Sequence, residues 1–489
     1  KIESLGVFVE QTFQGCCCGV DSVSSQVLAN LHRVATLVID WSPSTPHGML
    51  RRVGLLESLR HFFAWKPDQL PSAVLALFGC ISGTGAAAVE ASLRRKSGTV
   101  LVNVGKSCSS PLCKFLPEIT ASSSTLISTG NVLPPQKMHL IEFLTCVANA
   151  VPGVRERADF IGSVLAEATA IVRGDDFEEM TRDVDSLFRF IGVASPEKAR
   201  DQAYVEEVSK RFSDVFSAMN QIMNVGKRCF EASKSSQPLL EPFRSAPGSF
   251  TLMNPPPTEA SISLADLGSY DAFAPLWPTV IPAVLKALGV TMQAWSPAVR
   301  SKLLSNPVQR FVLALSDEEA IVATKKFVAG GNPMQEVEDQ GYVIKGSNKR
   351  RADLMPRWSG WLNETRNCPL QVLGMASMHR ALYSPELQQF YPSIVHIFSD
   401  QNLKSMEHRH MVQLLKQFVE PLLLSTPFTL YSTYLTPLLG PILSHLRWRL
   451  DASWRVQGNK VGSSAPSSAD SDAAARDCAQ GASSDAWYE

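Results

Sequence analysis

The spacing of apolar residues is the feature that most restricts how this chain can fold. Across residues 20–230, apolar side chains recur at intervals of three and four, as in Leu140, Phe143, Leu144 and Val147. This spacing places them along one face of an α-helix. Strand-type alternation is almost absent from the same region. We therefore predict successive amphipathic helices whose apolar faces pack on other helices.

Prolines mark the breaks between these helices. Pro67, Pro134 and Pro196 each stand where a helix would begin, and the first turn of a helix tolerates proline because the missing N–H would have no partner there. The breaks recur roughly every 20 residues, so a helix pair takes about 40 residues, which is the period of HEAT and armadillo solenoids. The predicted fold is an all-α superhelix of this HEAT/armadillo type.

Two internal stretches and the C-terminal end depart from the helical pattern. Residues 236–275 are rich in Pro and Ser and are predicted to form a long loop, and residues 329–358 form a charged insertion rich in Gly and Asn. The Ser, Ala, Gly and Asp composition of residues 458–489 predicts a disordered tail. The helical repeats are accordingly expected in residues 1–235 and 276–457.

Composition limits the class of partner. The chain has 489 residues, of which 45% are hydrophobic and 19% charged, and this excludes a wholly disordered protein. Its 46 Lys and Arg balance 46 Asp and Glu, so any nucleic-acid surface must be local. Continuous apolar runs such as residues 74–78 fall short of the ~20 residues of a membrane-spanning helix. We therefore expect no membrane insertion.

Two further features bear on the cellular context. The chain starts at Lys1 without an initiator Met, a basic n-region or an apolar h-region, which predicts a fragment of a longer product. Its ten cysteines include three adjacent ones, Cys16, Cys17 and Cys18, unlike the spaced framework of a small secreted domain. We therefore expect a reducing compartment.

Two segments imitate nucleotide-binding motifs. Residues 105–107 read Gly-Lys-Ser, but a phosphate-binding loop needs a Gly five residues before Gly105, and Val100 occupies that position. We interpret residues 105–107 as a helix end. Residues 83–88 fit a dinucleotide fingerprint, but no acidic residue lies near position 105 to hold a ribose, and the preceding run has helical neighbours. A break between helices is favoured there.

No metal ion or catalytic group is expected. His408 and His410 are two residues apart, so on a helix their side chains point about 200° apart, and the H-E-x-x-H pattern is absent. We interpret residues 406–410 as solvated helix. Cys108 and Cys113 have no second cysteine pair at zinc-binding spacing. Because no serine elbow or Cys-His-acid set stands out either, the sequence predicts neither a cofactor nor an enzyme.

Two clusters of basic residues are the candidates for contact with phosphate groups. They are Arg94, Arg95 and Lys96 on a helical segment, and Lys345, Lys349, Arg350 and Arg351 in the charged insertion. For each cluster the alternative interpretation is an ordinary solvated surface. On the concave face of a solenoid the two interpretations are about equally favoured.

Several segments carry a resemblance to a known family. Residues 407–422 followed by 434–450 and Trp454 form the nearest match, and residues 91–118 and 183–192 add two further ones. These segments resemble the exportin-five (HASTY) branch of the importin-β karyopherins, which are nuclear export receptors for small structured RNA. In that family, residues 91–118 correspond to a helix pair that carries a double basic residue.

The resemblance covers roughly residues 50–456 and would place the chain in the middle to C-terminal part of a longer receptor. It implies a HEAT-repeat superhelix that binds the GTP-bound Ran GTPase, nucleoporins and double-stranded RNA with a short 3′ overhang, and that shuttles between nucleus and cytoplasm. The family's N-terminal repeats, which supply most of the Ran contact, would lie before Lys1. Arg94 and Arg95 fall on the family's basic helix and are the first candidates for RNA contact; the insertion cluster is the second.

The expected function is that of a nuclear export receptor segment for Ran-GTP-dependent transport of structured small RNA, of the microRNA precursor or tRNA type. The alternative is a HEAT-repeat scaffold or a protein-cargo receptor of the importin or transportin kind. A clustered basic inner surface favours RNA, whereas an acidic or apolar groove favours peptide partners. DNA is not an expected partner.

Overall fold

The computed structural model describes residues 25–82, 91–129, 132–195, 198, 201–233, 263–303 and 354–463. Every regular element in these ranges is helical, and none of them contains a strand. The prediction of an all-α fold is therefore confirmed.

The first half of the described chain contains helices α1 (Ser25–Asp40), α2 (Pro46–Ser58), α3 (Arg60–Trp65), α4 (Leu70–Ser82), α5 (Ala91–Ser107), α6 (Ser109–Cys113), α7 (Leu116–Ser128) and α8 (Pro134–Ala148). Thr45 caps α2, because its side chain accepts a hydrogen bond from the Gly48 N–H. Pro134 opens α8, and Pro67 opens a short 3-10 helix. The proline breaks predicted at these two positions are confirmed, and Pro196 lies outside the described residues.

The second half contains helices α9 (Val154–Val164), α10 (Ala166–Ile171), α11 (Asp175–Arg182), α12 (Val184–Phe190), α13 (Gln202–Ser233), α14 (Leu264–Leu267), α15 (Trp277–Gln293), α16 (Pro297–Leu303), α17 (Leu354–Met378), α18 (Tyr391–Ile397), α19 (Asp400–Lys404), α20 (His408–Leu414), α21 (Glu420–Ser425) and α22 (Thr436–Ser463). Two π-helical segments, Leu415–Val419 and Tyr431–Leu435, precede α21 and α22.

The helices pack in two rows. Helices α2, α5, α8, α13 and α17 follow one another in the first row, each in contact with the next. Helices α4, α7, α10 and α15 each pack on one helix of that row, namely α5, α8, α13 and α17 respectively, and we call them the second row. Such stacking of helix pairs is the architecture of an α-α solenoid. The predicted superhelical class is thus confirmed.

The buried apolar core consists of two clusters, and α8 contributes side chains to both. The predicted stripe of Leu140, Phe143, Leu144 and Val147 is buried against the N-terminal helices, while Ile141 packs with the C-terminal ones. Each such side chain contributes about 1.5–3 kcal/mol when it leaves water. Helix α8 therefore joins the two halves of the described solenoid.

Helix α15 is a long apolar helix of the second row. By length and composition Ala274–Gln293 could cross a membrane, and 56% of its apolar window is buried inside the protein. Trp277, Val280 and Ile281 are fully buried. Core helices of soluble proteins have the same composition, so this segment gives little support for membrane insertion.

Several helices lie at the predicted domain limits. Helix α14 lies within the stretch 236–275, the first residues of α17 lie within the insertion 329–358, and α22 continues past residue 457 to Ser463. Residues 263–275 of the first stretch are all described, and residues 271–274 are buried, whereas residues 236–262, 329–353 and 464–489 lie outside the described residues. The division into domains stays a prediction.

Candidate nucleic-acid interface

Helix α5 carries the first predicted basic cluster in its first two turns. Arg95 is exposed, whereas Arg94 is half-buried. The Nη2 of Arg94 donates a hydrogen bond of 3.2 Å to the carbonyl oxygen of Ser82, the last residue of α4. Cations are stabilised at this end of a helix because its last carbonyl groups lack intrahelical partners. Arg94 thus links two helices, while the charge of Arg95 is accessible to solvent.

Lys96 is held by an ion pair. Its Nζ lies 2.5 Å from Oε2 of Glu57 on α2. The other carboxylate oxygen of Glu57 accepts a hydrogen bond of 2.8 Å from Nδ2 of Asn103, which lies about two turns after Lys96 on α5. Glu57 therefore fastens α2 to α5. Of the three predicted residues in this cluster, Arg95 is the one best placed to meet a phosphate group.

The second predicted cluster cannot be compared with the structure. Lys345, Lys349, Arg350 and Arg351 lie outside the described residues, as do residues 83–88 with their dinucleotide-like pattern. The Gly-Lys-Ser segment at residues 105–107 is described, and it forms the last turn of α5. Its interpretation as a helix end is confirmed.

Two adjacent open grooves lie at the C-terminal end of α5 and meet at Lys106. The first has a volume of about 600 Å³ and is lined by Glu57, Arg60 and Asn103, among others. The second has a volume of about 360 Å³ and lies between the ends of α5, α8 and α13. We call the combined surface the Lys106 groove; its charged residues are Glu57, Arg60, Lys106, Arg157, Arg228 and Glu231.

Arg228 is the most strongly engaged cation of the Lys106 groove. Its Nε and Nη1 donate hydrogen bonds of 2.6 Å to Glu142 and Glu231 respectively. Burial acts to lower the pKa of Arg228, but the two carboxylates outweigh it and raise that pKa overall. Arg228 is therefore a fixed charge that joins α13 to α8.

Lys106 and Arg157 are held less tightly. The Nζ of Lys106 lies 3.8 Å from Oε2 of Glu231, and the Lys106 side chain is 37% exposed. The Nη1 of Arg157 donates a hydrogen bond of 3.3 Å to the carbonyl oxygen of Asn149. The Nε of Arg157 is buried and has no hydrogen-bond partner among the described residues. These two cations are thus the ones most able to turn towards an incoming anion.

The nucleophile nearest the groove is inert. Cys146 lines the second part of the groove, and burial raises the pKa of its thiol to about 12. A thiol with such a pKa stays protonated near neutral pH and reacts poorly. Within the described ranges, no three His, Cys, Asp or Glu side chains stand close enough together to hold a metal ion.

The comparison with protein families agrees with the helical architecture. A model described as the Exportin-5 family matches residues 4–476, which is nearly the whole chain. The chain belongs to the exportin-5 family. This finding confirms the resemblance on which the expected fold and function depend.

Three exportin-5 relatives show how far the similarity extends. Exportin-5 of Mus musculus is 22% identical over 420 residues, or 82% of this chain and 31% of its own length. Exportin-5 of Homo sapiens is 22% identical over 468 residues, or 89% of this chain and 35% of its own length. Protein HASTY 1 of Arabidopsis thaliana is 25% identical over 179 residues, or 36% of this chain and 14% of its own length. The chain thus spans about a third of the length of the two exportins.

Membership of the exportin-5 family also settles the question of catalysis. Exportin-5 proteins are transport receptors and not enzymes. The prediction that this chain is not an enzyme is therefore confirmed.

One interpretation of a sequence motif in this exportin-5 chain is wrong. Glu407 and His410 were expected in a solvated helix, but they are only 4% and 3% exposed. Glu407 begins α20 with a reciprocal cap, and the His410 ring packs edge-on against Trp295 at 4.6 Å. The sequence pattern concealed this burial because it comes from packing of α20 on the end of α15. The side chain of His408 lies outside the described residues.

Sequence reasoning also missed residues that the fold brings together. Arg95, Thr99, Asn103 and Lys106 recur at intervals of four, four and three, so they lie along one face of α5. This spacing was a signal in the sequence that could have linked Lys106 to the basic cluster. Arg157 and Arg228 reach the groove from α9 and α13, and no local sequence pattern predicts that they lie near Lys106.

Proposed function

We propose that this chain is the solenoid part of a nuclear export receptor that carries structured small RNA to the cytoplasm together with GTP-bound Ran. The observation that carries the proposal is the match to the exportin-5 family over residues 4–476. The two-row helical array supports it, because a solenoid offers a long surface that can wrap a large cargo. Shuttling between nucleus and cytoplasm and contact with nucleoporins are parts of the same proposal.

The mechanism in this proposal is linked binding. RNA and GTP-bound Ran would each bind one curvature of the superhelix more tightly than the other, so each would raise the affinity for its counterpart. Loss of GTP would remove that coupling and release both partners. Because each repeat contacts its neighbours, small changes at many helix contacts can sum to a change in curvature.

Arg95 is the leading RNA contact in this proposal. Its exposed guanidinium can approach a phosphate. Arg94, in contrast, donates a hydrogen bond to the end of α4, and Lys96 forms an ion pair with Glu57. Contact would be made with the sugar-phosphate backbone, as is usual for double-stranded RNA, whose major groove is too narrow for side chains to read. The insertion cluster of Lys345, Lys349, Arg350 and Arg351 is the second candidate.

One observation favours the alternative of a protein partner. Helix α22 exposes large apolar side chains along one face, with Leu443 at 60%, Leu450 at 53% and Trp454 at 65% exposure. Exposed apolar surface of this kind is typical of protein-protein contact. A scaffold or a protein-cargo receptor would use such a face, and RNA would not.

The two functions are separated by measuring the binding of a labelled RNA hairpin with a two-nucleotide 3′ overhang to the full-length receptor. The measurement is made with and without GTP-locked Ran and at two salt concentrations. Arg95→Glu is compared with Lys210→Glu, which reverses an exposed charge near the start of α13, at the opposite end of that helix from the Lys106 groove. For an RNA export receptor we expect Ran-dependent binding that Arg95→Glu weakens by about tenfold, or about 1.4 kcal/mol, and that Lys210→Glu leaves almost unchanged.

The opposite results have equally definite meanings. RNA affinity that is the same with and without GTP-locked Ran, or no RNA binding at all, would contradict the export proposal and favour the protein partner. Equal losses for Arg95→Glu and Lys210→Glu would contradict the assignment of Arg95 and leave export itself in place. Affinity that does not fall as salt rises would contradict contact with phosphates, because that contact releases counterions.

A further inference from the structure

The position of Lys106 suggests a role in binding anions that differs from the nucleotide loop imitated by its Gly-Lys-Ser pattern. Lys106 lies in the last turn of α5, and its side chain borders both parts of the Lys106 groove. A nucleotide loop would need backbone N–H groups directed at the ligand, whereas the C-terminal end of a helix presents carbonyl groups. Any anion in this groove must therefore be bound by side chains.

The side chains around Lys106 carry an excess of positive charge. Arg60, Lys106, Arg157 and Arg228 line the groove, against Glu57 and Glu231. Both carboxylates are already engaged: Glu57 pairs with Lys96, and Glu231 accepts a hydrogen bond of 2.6 Å from Arg228. The negative charge that remains to hold Lys106 is thus small. A cationic groove that is open to solvent attracts anions from solution.

The ion pair between Lys106 and Glu231 is long. Its length of 3.8 Å lies near the limit of an ion pair and exceeds that of a hydrogen bond. Exposed pairs of this kind contribute roughly 0–1 kcal/mol. An incoming phosphate could therefore displace Glu231 from Lys106 at little cost, while Glu231 would remain bound to Arg228.

Lys106 also continues the face of α5 that Arg95 occupies. Lys106 lies eleven positions after Arg95, which is about three helical turns, so both side chains lie on the same face about 16 Å apart. The Lys106 groove begins where this face ends. A single tract of nucleic-acid backbone that contacts Arg95 can therefore extend along α5 into the groove.

We propose that the Lys106 groove binds backbone phosphates of the RNA cargo, with Lys106 and Arg157 as the contacting cations and Glu231 as an internal competitor for Lys106. The inference rests on the proposed function, since it assumes that the cargo is RNA. It adds a second anchoring point on α5, α9 and α13 to the one at Arg95. It also predicts a residue whose neutralisation increases affinity.

Five single variants of the full-length protein test the proposal, with RNA affinity measured over a range of salt concentrations. Lys106→Gln and Arg157→Gln each remove one cation from the groove, and Glu231→Gln removes the competitor. Lys210→Gln and Glu207→Gln are matched controls on α13, about 27 Å or more along the helix from Arg228. Both control side chains are exposed. Glu207, like Glu231, pairs with an arginine of its own helix.

The expected change in RNA affinity differs in sign between the cation variants and Glu231→Gln. Lys106→Gln and Arg157→Gln each weaken RNA binding and reduce the slope of log affinity against log salt by about 0.7–0.9, the value for one lost phosphate contact. Glu231→Gln tightens binding by roughly two- to fivefold, because Lys106 no longer has to leave a carboxylate. The Lys210→Gln and Glu207→Gln controls match the wild type. If the groove variants behave like the controls while the wild type binds RNA, the groove proposal is overturned and the export proposal stands.

A second ligand keeps the two proposals distinguishable. Labelled long-chain polyphosphate presents the same charged groups without bases or riboses. If the wild type binds polyphosphate through Lys106 and Arg157 but binds no RNA, the phosphate groove stands and the RNA function fails. If the wild type binds neither ligand, both proposals are overturned. Circular dichroism of each variant confirms that the helices are intact.

Discussion

Two glycines on α5 determine how closely the central helices approach. Gly98 and Gly105 face α8, where His139 packs on the backbone of Gly98 and the Phe143 ring packs on that of Gly105. A Cβ atom at position 105 would lie 2.7 Å from Cδ2 of Phe143, which is closer than carbon atoms come without displacement. Gly105 is therefore a packing residue, although its sequence context imitates a phosphate loop.

Replacement of Gly105 by alanine should destabilise the protein. Ala favours a helix by about 1 kcal/mol over Gly, but the added methyl must push Phe143 away in a packed core, at a cost of about 1–3 kcal/mol. Gly162→Ala is the matched control, because nothing lies within 4 Å of its added methyl group on α9. Urea unfolding should show a lower unfolding free energy for Gly105→Ala and a higher one for Gly162→Ala. Stabilisation by both would contradict the tight contact.

At the level of single residues, sequence reasoning succeeded where one helix contained the whole signal. The stripe of Leu140, Phe143 and Val147 follows from the helical period alone, and all three are buried. It failed for Glu407 and His410, whose burial depends on Trp295, more than a hundred residues away. Lys106 was correctly rejected as a nucleotide ligand, but its place in a groove depends on α8, α9 and α13. Tertiary packing decides such positions, and a local pattern does not contain it.

Two helices carry histidines that should make stability depend on pH. Burial lowers the pKa of His139 on α8 below its ordinary value near 6.5; Glu142 opposes that shift, and Arg95 adds to it. Burial also lowers the pKa of His445 on α22, with a further contribution from Arg449. The folded protein therefore disfavours the protonated rings, whereas the unfolded chain takes up those protons as pH falls below about 6.5.

The unfolding free energy should accordingly fall between pH 7 and pH 5. The stabilising contribution of the neutral rings is complete well above pH 6.5 and declines below it, since the unfolded state then binds more protons. Urea unfolding of the wild type at several pH values gives the slope directly. A His139→Gln, His445→Gln double variant should show a flatter dependence in this range. An unchanged slope in the double variant would assign the pH effect to other groups.

At the level of whole helices, prolines and apolar stripes located most elements, and they missed the short ones. The start of α8 at Pro134 and the end of α5 at Ser107 agree with the sequence. The short helices α10, α11 and α12 follow one another closely: three residues ending in Gly174 separate α10 from α11, and Asp183 alone separates α11 from α12. Their apolar residues, such as Phe177 and Leu187, complete the core between the long helices.

The whole molecule depends on continuity through α8. The solenoid class follows from the sequence because helix pairs at a regular period have few ways to bury their faces other than stacking. Which helix would join the two parts of the core did not follow, since every long helix has a similar stripe. Phe143 is fully buried in the N-terminal part and meets Phe78 edge-on at 6.1 Å, while its neighbour Ile141 belongs to the C-terminal part.

Loss of the Phe143 ring should therefore uncouple the two parts of the array. Phe143→Ala removes a buried ring at a cost of about 3–5 kcal/mol, and in a solenoid such a loss acts on the nearest helix contacts. Hydrogen exchange read by mass spectrometry should show faster exchange in α4, α5 and α7, with α15 and α17 still protected. Phe418→Ala, which removes a buried ring stacked on Phe398 near the other end, should produce the reverse pattern. Uniformly faster exchange in both variants would instead mean that the array unfolds as a single cooperative unit.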